Sequence, residues 1–502
     1  MVCSCSVCAD IGAALAAASR GGGESPATRG EVVRSAAMDM DPVVCERVAA
    51  ALEALGVDVD GDAASEGPRE HRLRGFVMPV SGLSYAVQLA VKMQAELQAN
   101  WPRLESERVH VVASPVRSHR LRLKFFVGRS GSDGPHRLGI SNTDPEDPRR
   151  TAFIIDGDFP IATERMQRAM RALLASLDAP GGSEIPSAES LHVVNFVDTM
   201  DGQDFVVTLY HLSPSESKDE QGSSGQEDAK MTTETWSTVM QKGLLARLAQ
   251  VLEGRVTAVW RSRKCVRTAS LGQRSGLDVG GDLDSPDEGE ARVLETGLFP
   301  GRRLCQVEGS FSNPNGAITR GVNDWLHATL KGCGVANARL LELCSGCGNH
   351  TVGLADLFAR VVCVEIDPHL VKQARRNLAL NGLDHVQVFC DDMRRLPRIL
   401  RRAARGGWDA AEGPTVCLVD PPRRGLPDEL ASFVGELDSV DFLVYVACGD
   451  GLERNAAALA ANFELQELCF ADHFPYTHFI EKVAVFARRG RVSPSTMVVT
   501  SE

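Results

Sequence analysis

The sequence predicts an α/β protein in which a Rossmann-like, doubly wound domain follows an α+β domain. The chain has 502 residues, too many for one ordinary hydrophobic core. From residue 339 onward, short apolar segments alternate with helical patterns, which is typical of a parallel sheet with helices on both faces. Before that point, an amphipathic helix over residues 83–97 precedes a strand-rich stretch over residues 109–126.

Changes in composition indicate the domain boundaries. Residues 1–70 are rich in Ala, Gly and Ser without a sustained period, so we expect a disordered extension, with an organellar targeting peptide as the alternative. Residues 213–230 and 275–291 are acidic and rich in Gly and Ser, as solvated loop insertions are. The predicted segments are the extension (1–70), the α+β domain (71–305), the doubly wound domain (306–490) and a flexible tail (491–502).

Composition argues against several classes of protein. The hydrophobic fraction of 43% is globular, and no apolar run approaches the roughly 20 residues that span a bilayer. A net charge of -12 argues against binding nucleic acid by bulk electrostatics. The 14 cysteines are scattered as buried free thiols would be, so we expect a reducing compartment: the cytoplasm, or an organelle if the extension is a transit peptide. Cys3, Cys5 and Cys8 are too few and too close for a standard zinc or iron-sulfur site, and we expect no metal.

A glycine-containing loop lies between the first strand and helix of the doubly wound domain. Residues 342–349 read ELCSGCGN, and such glycines let a ligand approach the backbone closely. By itself this segment is equally well explained as a structural turn. The next strand ends in Glu365, where a carboxylate can accept hydrogen bonds from both hydroxyls of a ribose. The two signals together favour an adenosine-containing ligand.

Three further motifs follow in order: DPPRRG (420–425), LVYVACGDGLERN (443–455) and FPYTHFIE (474–481). Together with SPVRSHRLRLKF (114–125), DGDFPIA (156–162) and FVVTLYH (205–211), they make the chain resemble the tRNA (uracil-5-)-methyltransferase family over most of residues 73–488. The resemblance implies S-adenosylmethionine as cofactor and carbon 5 of a uridine in RNA as the methyl acceptor, above all the T-loop uridine of tRNA. It also implies that the α+β domain binds RNA.

The resemblance assigns roles to individual residues. Cys448 would be the nucleophile that adds to carbon 6 of the uracil, and Glu481 the base that removes the carbon 5 proton. Asp420 would hold both the cofactor and the pyrimidine side of the pocket. The residues that would contact the cofactor are Asn313, Cys344, Asn349, Glu365 and Asp420.

Some of these positions depart from the family's usual residues. The usual S-C-N-P around the nucleophile is Ala447-Cys448-Gly449-Asp450 here, and we expect the acidic neighbour to raise the pKa of the thiol. Asn313 replaces a glutamine, and Cys344 replaces an aromatic residue. These replacements bear on affinity for the cofactor.

A basic strand provides candidate RNA contacts. Arg120, Arg122 and Lys124 alternate with apolar residues, so they share one face of a strand. A solvated outer face is the alternative, and the resemblance favours contact with RNA phosphates. It also implies that Phe159 stacks on the displaced nucleotide. A second, weaker basic candidate comprises Arg261, Arg263 and Arg267.

Two other functions remain open. A ribosomal-RNA uracil-5 methyltransferase would use the same Cys448 and Glu481, and a tRNA-binding or tRNA-folding protein would show little methylation. We expect tRNA or another structured RNA as partner, no membrane association and a monomeric protein. The loose match of Asp391 and Asp392 leaves them without a role, and His473 and His478 are equally well explained as structural residues.

Overall fold

The computed structural model describes residues 42–54, 85–131, 134–141, 151–154, 159–211, 232–262, 265–273, 292–295, 297–310, 312–335, 337–410, 413–477 and 479–491. Both acidic insertions, the tail after residue 491, and Cys3, Cys5, Cys8, Arg263 and His478 lie outside these residues. The described residues form two compact units. Of the described residues, the C-terminal unit contains 42–54, 85–116 and 317–491, and the central unit contains 117–316.

The strands of the described residues are, in chain order, β1 (Val109–Val112), β2 (Arg122–Arg129), β3 (His136–Ser141), β4 (Thr151–Ile154), β5 (Leu191–Asp198), β6 (Asp204–His211), β7 (Arg255–Arg261), β8 (Val266–Leu271), β9 (Arg292–Glu295), β10 (Leu304–Val307), β11 (Ala338–Leu343), β12 (Phe358–Glu365), β13 (Val386–Cys390), β14 (Thr415–Val419), β15 (Phe442–Ala447), β16 (Phe463–Ala471) and β17 (Glu481–Arg488).

The α-helices are α1 (Pro42–Ala54), α2 (Tyr85–Asn100), α3 (Glu164–Leu177), α4 (Thr233–Lys242), α5 (Leu244–Val251), α6 (Gly316–Gly332), α7 (Asn349–Leu354), α8 (Pro368–Leu380), α9 (Leu396–Arg405), α10 (Asp428–Glu436) and α11 (Gly451–Ala460). No helix in the described ranges is long and apolar enough to cross a bilayer.

The C-terminal unit contains an eight-stranded sheet in the order β1-β16-β17-β15-β14-β11-β12-β13. Neighbouring strands are parallel except for β17, which runs antiparallel to both β15 and β16. Alternate residues of each strand enter different cores: Leu341 and Leu343 pack with apolar residues of α9, α10 and α11, whereas Leu340 packs with those of α6. Helices therefore cover both faces of the sheet, which confirms the predicted doubly wound fold.

Two early segments differ from our sequence predictions. We expected residues 1–70 to be disordered, but residues 42–54 form α1, because Val44, Cys45, Val48 and Leu52 make a buried apolar stripe. We also expected residues 71–305 to form one domain. Instead α2 and β1 belong to the C-terminal unit, because β1 pairs with β16 and α2 contributes apolar residues to the same core.

The central unit has a seven-stranded sheet in the order β4-β3-β2-β5-β6-β7-β8 and a separate pair, β9 and β10. All its pairings are antiparallel except that between β6 and β7. Helix α3 begins at a Thr163 cap, whose hydroxyl accepts a hydrogen bond from the amide of Met166 at 3.1 Å. A mixed sheet with segregated helices is the α+β arrangement that we predicted for this region.

Candidate active site

The ends of neighbouring strands bring the predicted site residues of the C-terminal unit to one edge of its sheet. Cys344, Asp420 and Cys448 directly follow β11, β14 and β15, and Glu365 ends β12. These are the carboxyl ends of parallel strands, where open α/β sheets bind their ligands. Glu481 begins β17, and because β17 is antiparallel its first residue lies at the same edge.

Backbone geometry opens the glycine loop to a ligand. Cys344, Gly346 and Gly348 have φ values of 59°, 56° and 85°, in the left-handed region that favours glycine. A Cβ atom built on Gly346 would meet no atom within 4 Å, so there is open space beside the loop. The buried side-chain oxygen of Asn349 has no hydrogen-bond partner among the described residues. Such an oxygen fits a site that a polar ligand completes.

Glu365 holds this loop and still has capacity to bind a ligand. Its side chain is 8% exposed; Oε2 accepts a hydrogen bond from the amide of Gly346 at 2.9 Å, and Oε1 accepts one from the amide of Asp367 at 2.8 Å. A carboxylate has about four lone-pair positions, so both oxygens can accept further hydrogen bonds, for example from a ribose. The geometry fits the ribose contact that we predicted for Glu365.

Cys344 and Cys448 lie in different chemical environments. Burial, followed by the negative charges of Glu365 and Asp420, raises the pKa of Cys344 to about 12, and its Sγ lies 3.5 Å from Sδ of Met393. Cys344 is thus a protonated, apolar side chain rather than a nucleophile. Cys448 is half-buried like Cys344, but the nearby Arg423 opposes the rise of its thiol pKa.

Two glycines permit close packing of the loops that carry Asp420 and Cys448. A Cβ atom on Gly449 would lie 2.9 Å from the backbone oxygen of Arg423, and one on Gly451 would lie 2.5 Å from Cα of Gly425. Both distances are shorter than ordinary contacts, so side chains at these positions would push the loops apart.

Asn455 and Tyr445 fix the end of the DPPRRG loop through hydrogen bonds. The Asn455 side-chain oxygen accepts hydrogen bonds from the amide of Leu426 at 2.9 Å and from the Tyr445 hydroxyl at 2.7 Å. Its amide group donates to the carbonyl of Leu426 at 3.1 Å. All three groups are buried, so these bonds fix the loop after Asp420 to α11, the helix that follows Cys448.

Besides burial, carboxylates raise the pKa of the Cys448 thiol, but they are Glu481 and Asp420 rather than Asp450, which we expected. Burial, then Glu481 and Asp420, raise the pKa of the Cys448 thiol, whereas Arg423 opposes the shift. Asp450, the neighbour that we expected to act on the thiol, forms an ion pair with Arg454 at 2.8 Å and is exposed. The predicted direction of the shift therefore agrees with the structure, but its origin is different.

Glu481 has the properties of a proton acceptor. Burial, followed by the charge of Asp420, raises its pKa to about 8, while His350 opposes that rise. His473 Nε2 lies 3.5 Å from Glu481 Oε1. A carboxylic acid whose pKa lies near neutrality can take up and release a proton under ordinary conditions.

His350 and Glu342 are two groups at this edge to which sequence reasoning gave no role. His350 Nε2 lies 3.6 Å from Asp420 Oδ2; burial opposes its charge, but Asp420, then Glu342 and Glu481, raise its pKa above the ordinary value. Glu342 is completely buried, and burial raises its pKa to about 7. The hydroxyl of Thr351 donates to its Oε2, and its Oε1 has no partner among the described residues. The available signals were a histidine next to Asn349 and an acidic residue within an apolar strand.

Asn313 and Phe159, like the three basic residues described below, belong to the central unit. Asn313 is half-buried in the stretch before α6, where the next residue, Pro314, accepts a hydrogen bond from the amide of Leu121 at 2.7 Å. Phe159 has no exposed surface and packs edge-on against Phe125, with ring centroids 5.9 Å apart. We expected an exposed ring for stacking, but this ring fills the core, because the alternation of β2 directs Phe125 to the same interior.

The three basic residues of the predicted strand line a pocket of about 360 Å³ within the central unit. Arg122 donates to the carbonyl of Ser310 at 2.9 Å, and Lys124 Nζ lies 5.4 Å from the ring centroid of Tyr210. Burial lowers the pKa of Arg120 to about 10, so its guanidinium stays charged at neutral pH. The three basic residues thus share one side, as we expected, and that side lines a concave pocket.

The second basic candidate is engaged within the fold. Arg261 forms an ion pair with Glu308 at 2.6 Å, and Arg267 stacks on Trp260 at 4.5 Å from the ring centroid. Both interactions reduce their capacity to bind phosphate. In the described ranges, no group of three or more His, Cys, Asp and Glu side chains is arranged to hold a metal ion.

Known proteins resemble this chain along most of its length. The sequence profile of a family described as tRNA (uracil-5-)-methyltransferase matches residues 299–489. A tRNA/tmRNA (uracil-C(5))-methyltransferase of Azotobacter vinelandii is 31% identical over 420 residues, which are 81% of this chain and 97% of the relative. One with the same name from Azoarcus sp. (strain BH72) is 30% identical over 409 residues, 79% of this chain and 94% of the relative.

A solved structure shares the fold. The tRNA (uracil-54, C5)-methyltransferase of Pyrococcus abyssi, in complex with S-adenosyl-L-homocysteine, aligns with a TM-score of 0.54 over 81% of this chain and 85% of that chain. Its sequence identity to this chain is 16%.

The buried carboxyl of Glu342 should make stability depend on pH. Its pKa in the folded protein, about 7, lies above the ordinary value of 4.5, so its contribution to stability is present at low pH and lost as pH rises through this window. Glu342→Gln keeps the acceptor for Thr351 without a charge. We expect the variant to match the wild type near pH 4 and to gain about 2 to 3 kcal/mol relative to it above pH 7. Denaturant unfolding at several pH values measures this difference.

The exposed Glu436 provides a matched control, since Glu436→Gln should leave the pH profile of unfolding unchanged. If the stability gained by Glu342→Gln did not depend on pH, Glu342 would have the same pKa in the folded and the unfolded protein.

Proposed function

The chain belongs to the tRNA (uracil-5-)-methyltransferase family, and from this premise we propose that it methylates carbon 5 of the T-loop uridine of tRNA. It is an S-adenosylmethionine-dependent RNA methyltransferase. The observation that carries the proposed chemistry is the strand register: Ala447 pairs with Lys482, so the adjacent residues Cys448 and Glu481 lie at the same end of neighbouring strands.

Covalent catalysis explains why both a thiol and a carboxylate are needed. Carbon 5 of uracil is a poor nucleophile until another group adds to carbon 6. In our proposal Cys448 Sγ bonds to carbon 6, and the electron pair moves to give an enolate that is nucleophilic at carbon 5. Because the pKa of this thiol is raised, the thiolate fraction and hence the rate of addition should increase with pH.

Release of the product requires a base. After carbon 5 has taken the methyl group that S-adenosylmethionine supplies when bound, it still carries a proton. We propose that the Glu481 carboxylate removes this proton, and that the electron pair then re-forms the double bond and expels the Cys448 thiolate. Burial of Glu481 favours its neutral form, so uptake of a proton also relieves the cost of a buried charge.

The residues around the glycine loop fit the cofactor. Glu365 would accept hydrogen bonds from the ribose, and Asn349 would bind through its unpaired oxygen. Asp420 would complete the site on the side of the pyrimidine. Asn313, which belongs to the central unit, keeps its cofactor role only through the family resemblance.

Arg120, Arg122 and Lys124 support RNA binding by the central unit. Three cations around one concavity attract a phosphate more strongly than they would on a flat surface, because the walls exclude water. Phe159 has no exposed surface on which a displaced nucleotide could stack in this structure. In its place we propose Phe479, which is 55% exposed and lies 5.5 Å from the Arg423 guanidinium at the edge that carries Cys448.

Nucleoside analysis tests the proposed substrate. Incubation of the full chain with labelled S-adenosylmethionine and total RNA should put the label into tRNA as 5-methyluridine. A tRNA transcript with cytidine in place of the T-loop uridine should remain unlabelled. Label in ribosomal RNA would support that alternative substrate, and absence of label would support a binding or folding role.

The two proposed catalytic residues should fail at different steps. Cys448→Ala should give neither product nor covalent complex, whereas Glu481→Gln permits addition and methyl transfer but blocks release, so a protein-RNA adduct should accumulate on denaturing gels. The adduct should vanish in the double variant, because the residues act in sequence. Normal turnover by Glu481→Gln, or an adduct without Cys448, would contradict the assignment.

The cationic pocket should determine the salt dependence of RNA binding. Replacing Arg120, Arg122 and Lys124 together by Ala should weaken tRNA binding and reduce the slope of log K against log salt by about 2 to 3, while binding of S-adenosylmethionine stays intact. Filter binding over a salt series measures the slope. The same replacement of Arg398, Arg401 and Arg405, three basic residues of α9 in the C-terminal unit, is the control, and an equal effect there would argue against a specific pocket.

A further inference from the structure

One face of α2 is polar although most of it is buried. Gln88, Lys92 and Glu96 are spaced by four residues and therefore lie on the same side of the helix. Gln88 is 1% exposed and Lys92 7%. A buried charge or amide needs a hydrogen-bond partner. The partners of Gln88, Lys92 and Glu96 therefore show which segments α2 binds.

Lys92 and Gln88 both bind the segment that leads into β17. Lys92 Nζ donates to Asp472 Oδ1 at 2.8 Å and to the carbonyl of Phe474 at 3.1 Å. Gln88 Oε1 accepts a hydrogen bond from the amide of Tyr476 at 3.0 Å. Two successive helical turns of α2 thus bind three positions of the loop that ends at Glu481.

The loop has a strained residue at this attachment point. Tyr476 has a φ of 68°, which is unfavourable for a residue with a large side chain. Gln88 binds its amide, and its hydroxyl donates to the carbonyl of Val116 at 2.6 Å. A conformation of this kind persists only when its surroundings impose it, and here both ends of the residue are held.

The third residue of the face acts on the other side of Glu481. Lys482 is 3% exposed, and its Nζ donates to Glu96 Oε2 at 2.9 Å and to Glu453 Oε1 at 2.6 Å. Glu453 lies in the first turn of α11, close in sequence to Cys448. One buried ammonium therefore joins α2, the start of β17 and the helix that follows the nucleophile.

Buried ion pairs of this type are an inefficient source of stability, because desolvation offsets much of the Coulombic attraction. Their directional bonds do restrict the backbone on both sides of Glu481. We propose that the polar face of α2, formed by Gln88, Lys92 and Glu96, positions Glu481 for removal of the carbon 5 proton. This inference rests on the proposed function and adds positioning residues from a helix outside the motif-bearing segments.

The expected consequence is selective slowing of the second half of the reaction. The double variant Lys92→Met, Asp472→Asn removes the attachment made by Lys92 without leaving a buried unpaired charge. Formation of the protein-RNA adduct should stay within threefold of the wild type, while release of methylated RNA should slow roughly 10- to 100-fold, as a misplacement of about 1 Å does. Rapid quenching of the full chain with tRNA and labelled S-adenosylmethionine measures both rates.

Two further variants test positioning against a merely structural role. Glu96→Gln leaves Lys482 paired with Glu453, so the fold should persist, and it should slow release in the same sense by a smaller factor. Lys92→Arg retains a donor for Asp472, so its release rate should be much closer to that of the wild type than the release rate of the double variant is. Lys331→Met replaces an exposed lysine of α6 and should change neither rate.

The outcomes are distinguishable from failure of the proposed function. Two results would overturn the positioning role even if the wild type methylates tRNA. In the first, the double variant and Glu96→Gln slow adduct formation and release equally. In the second, both variants release methylated RNA at the wild-type rate. A wild type that forms neither adduct nor methylated RNA would overturn the proposed function, and the positioning role with it.

Discussion

The antiparallel pairing of β17 with β15 is the constraint on which the candidate active site depends. Parallel strands can present only their carboxyl ends at the ligand-binding edge, so a side chain at the start of a strand reaches that edge only on a reversed strand. β17 is the reversed strand of this sheet, and its pairing with both β15 and β16 fixes its register on two sides. A slip of one residue would turn Glu481 to the opposite face.

Concentration of carboxylates at this edge has an electrostatic consequence. Asp420 acts on both Glu481 and Cys448, and it raises the pKa of each. These shifts oppose the formation of two anions together. His350 and Arg423 supply positive charge, each near a different reacting group. The balance between these groups, more than any single pKa, governs which protonation states the site can adopt.

Sequence reasoning predicted those features of the fold and of the site that local sequence patterns encode. Apolar segments that lead to Cys344, Glu365, Asp420 and Cys448 indicated the strands of the doubly wound domain. The sequence did not predict that α2 and β1 belong to the C-terminal unit. β1 pairs with β16, which is more than 350 residues away, and no local pattern specifies such a partner. Burial of Phe159 escaped prediction for the same reason: its neighbour Phe125 comes from a distant strand.

The Gly449-Asp450-Gly451 sequence after the nucleophile can be understood from packing. With the DPPRRG loop fixed by Asn455, side chains at 449 and 451 would collide with the backbone of Arg423 and Gly425. The residue between them faces solvent and forms its ion pair with Arg454 there, so its charge need not act on the thiol. Two glycines therefore bring Asp420 and Cys448 close together. That proximity lets the Asp420 carboxylate add to the effects of burial and of Glu481, which raise the pKa of the Cys448 thiol.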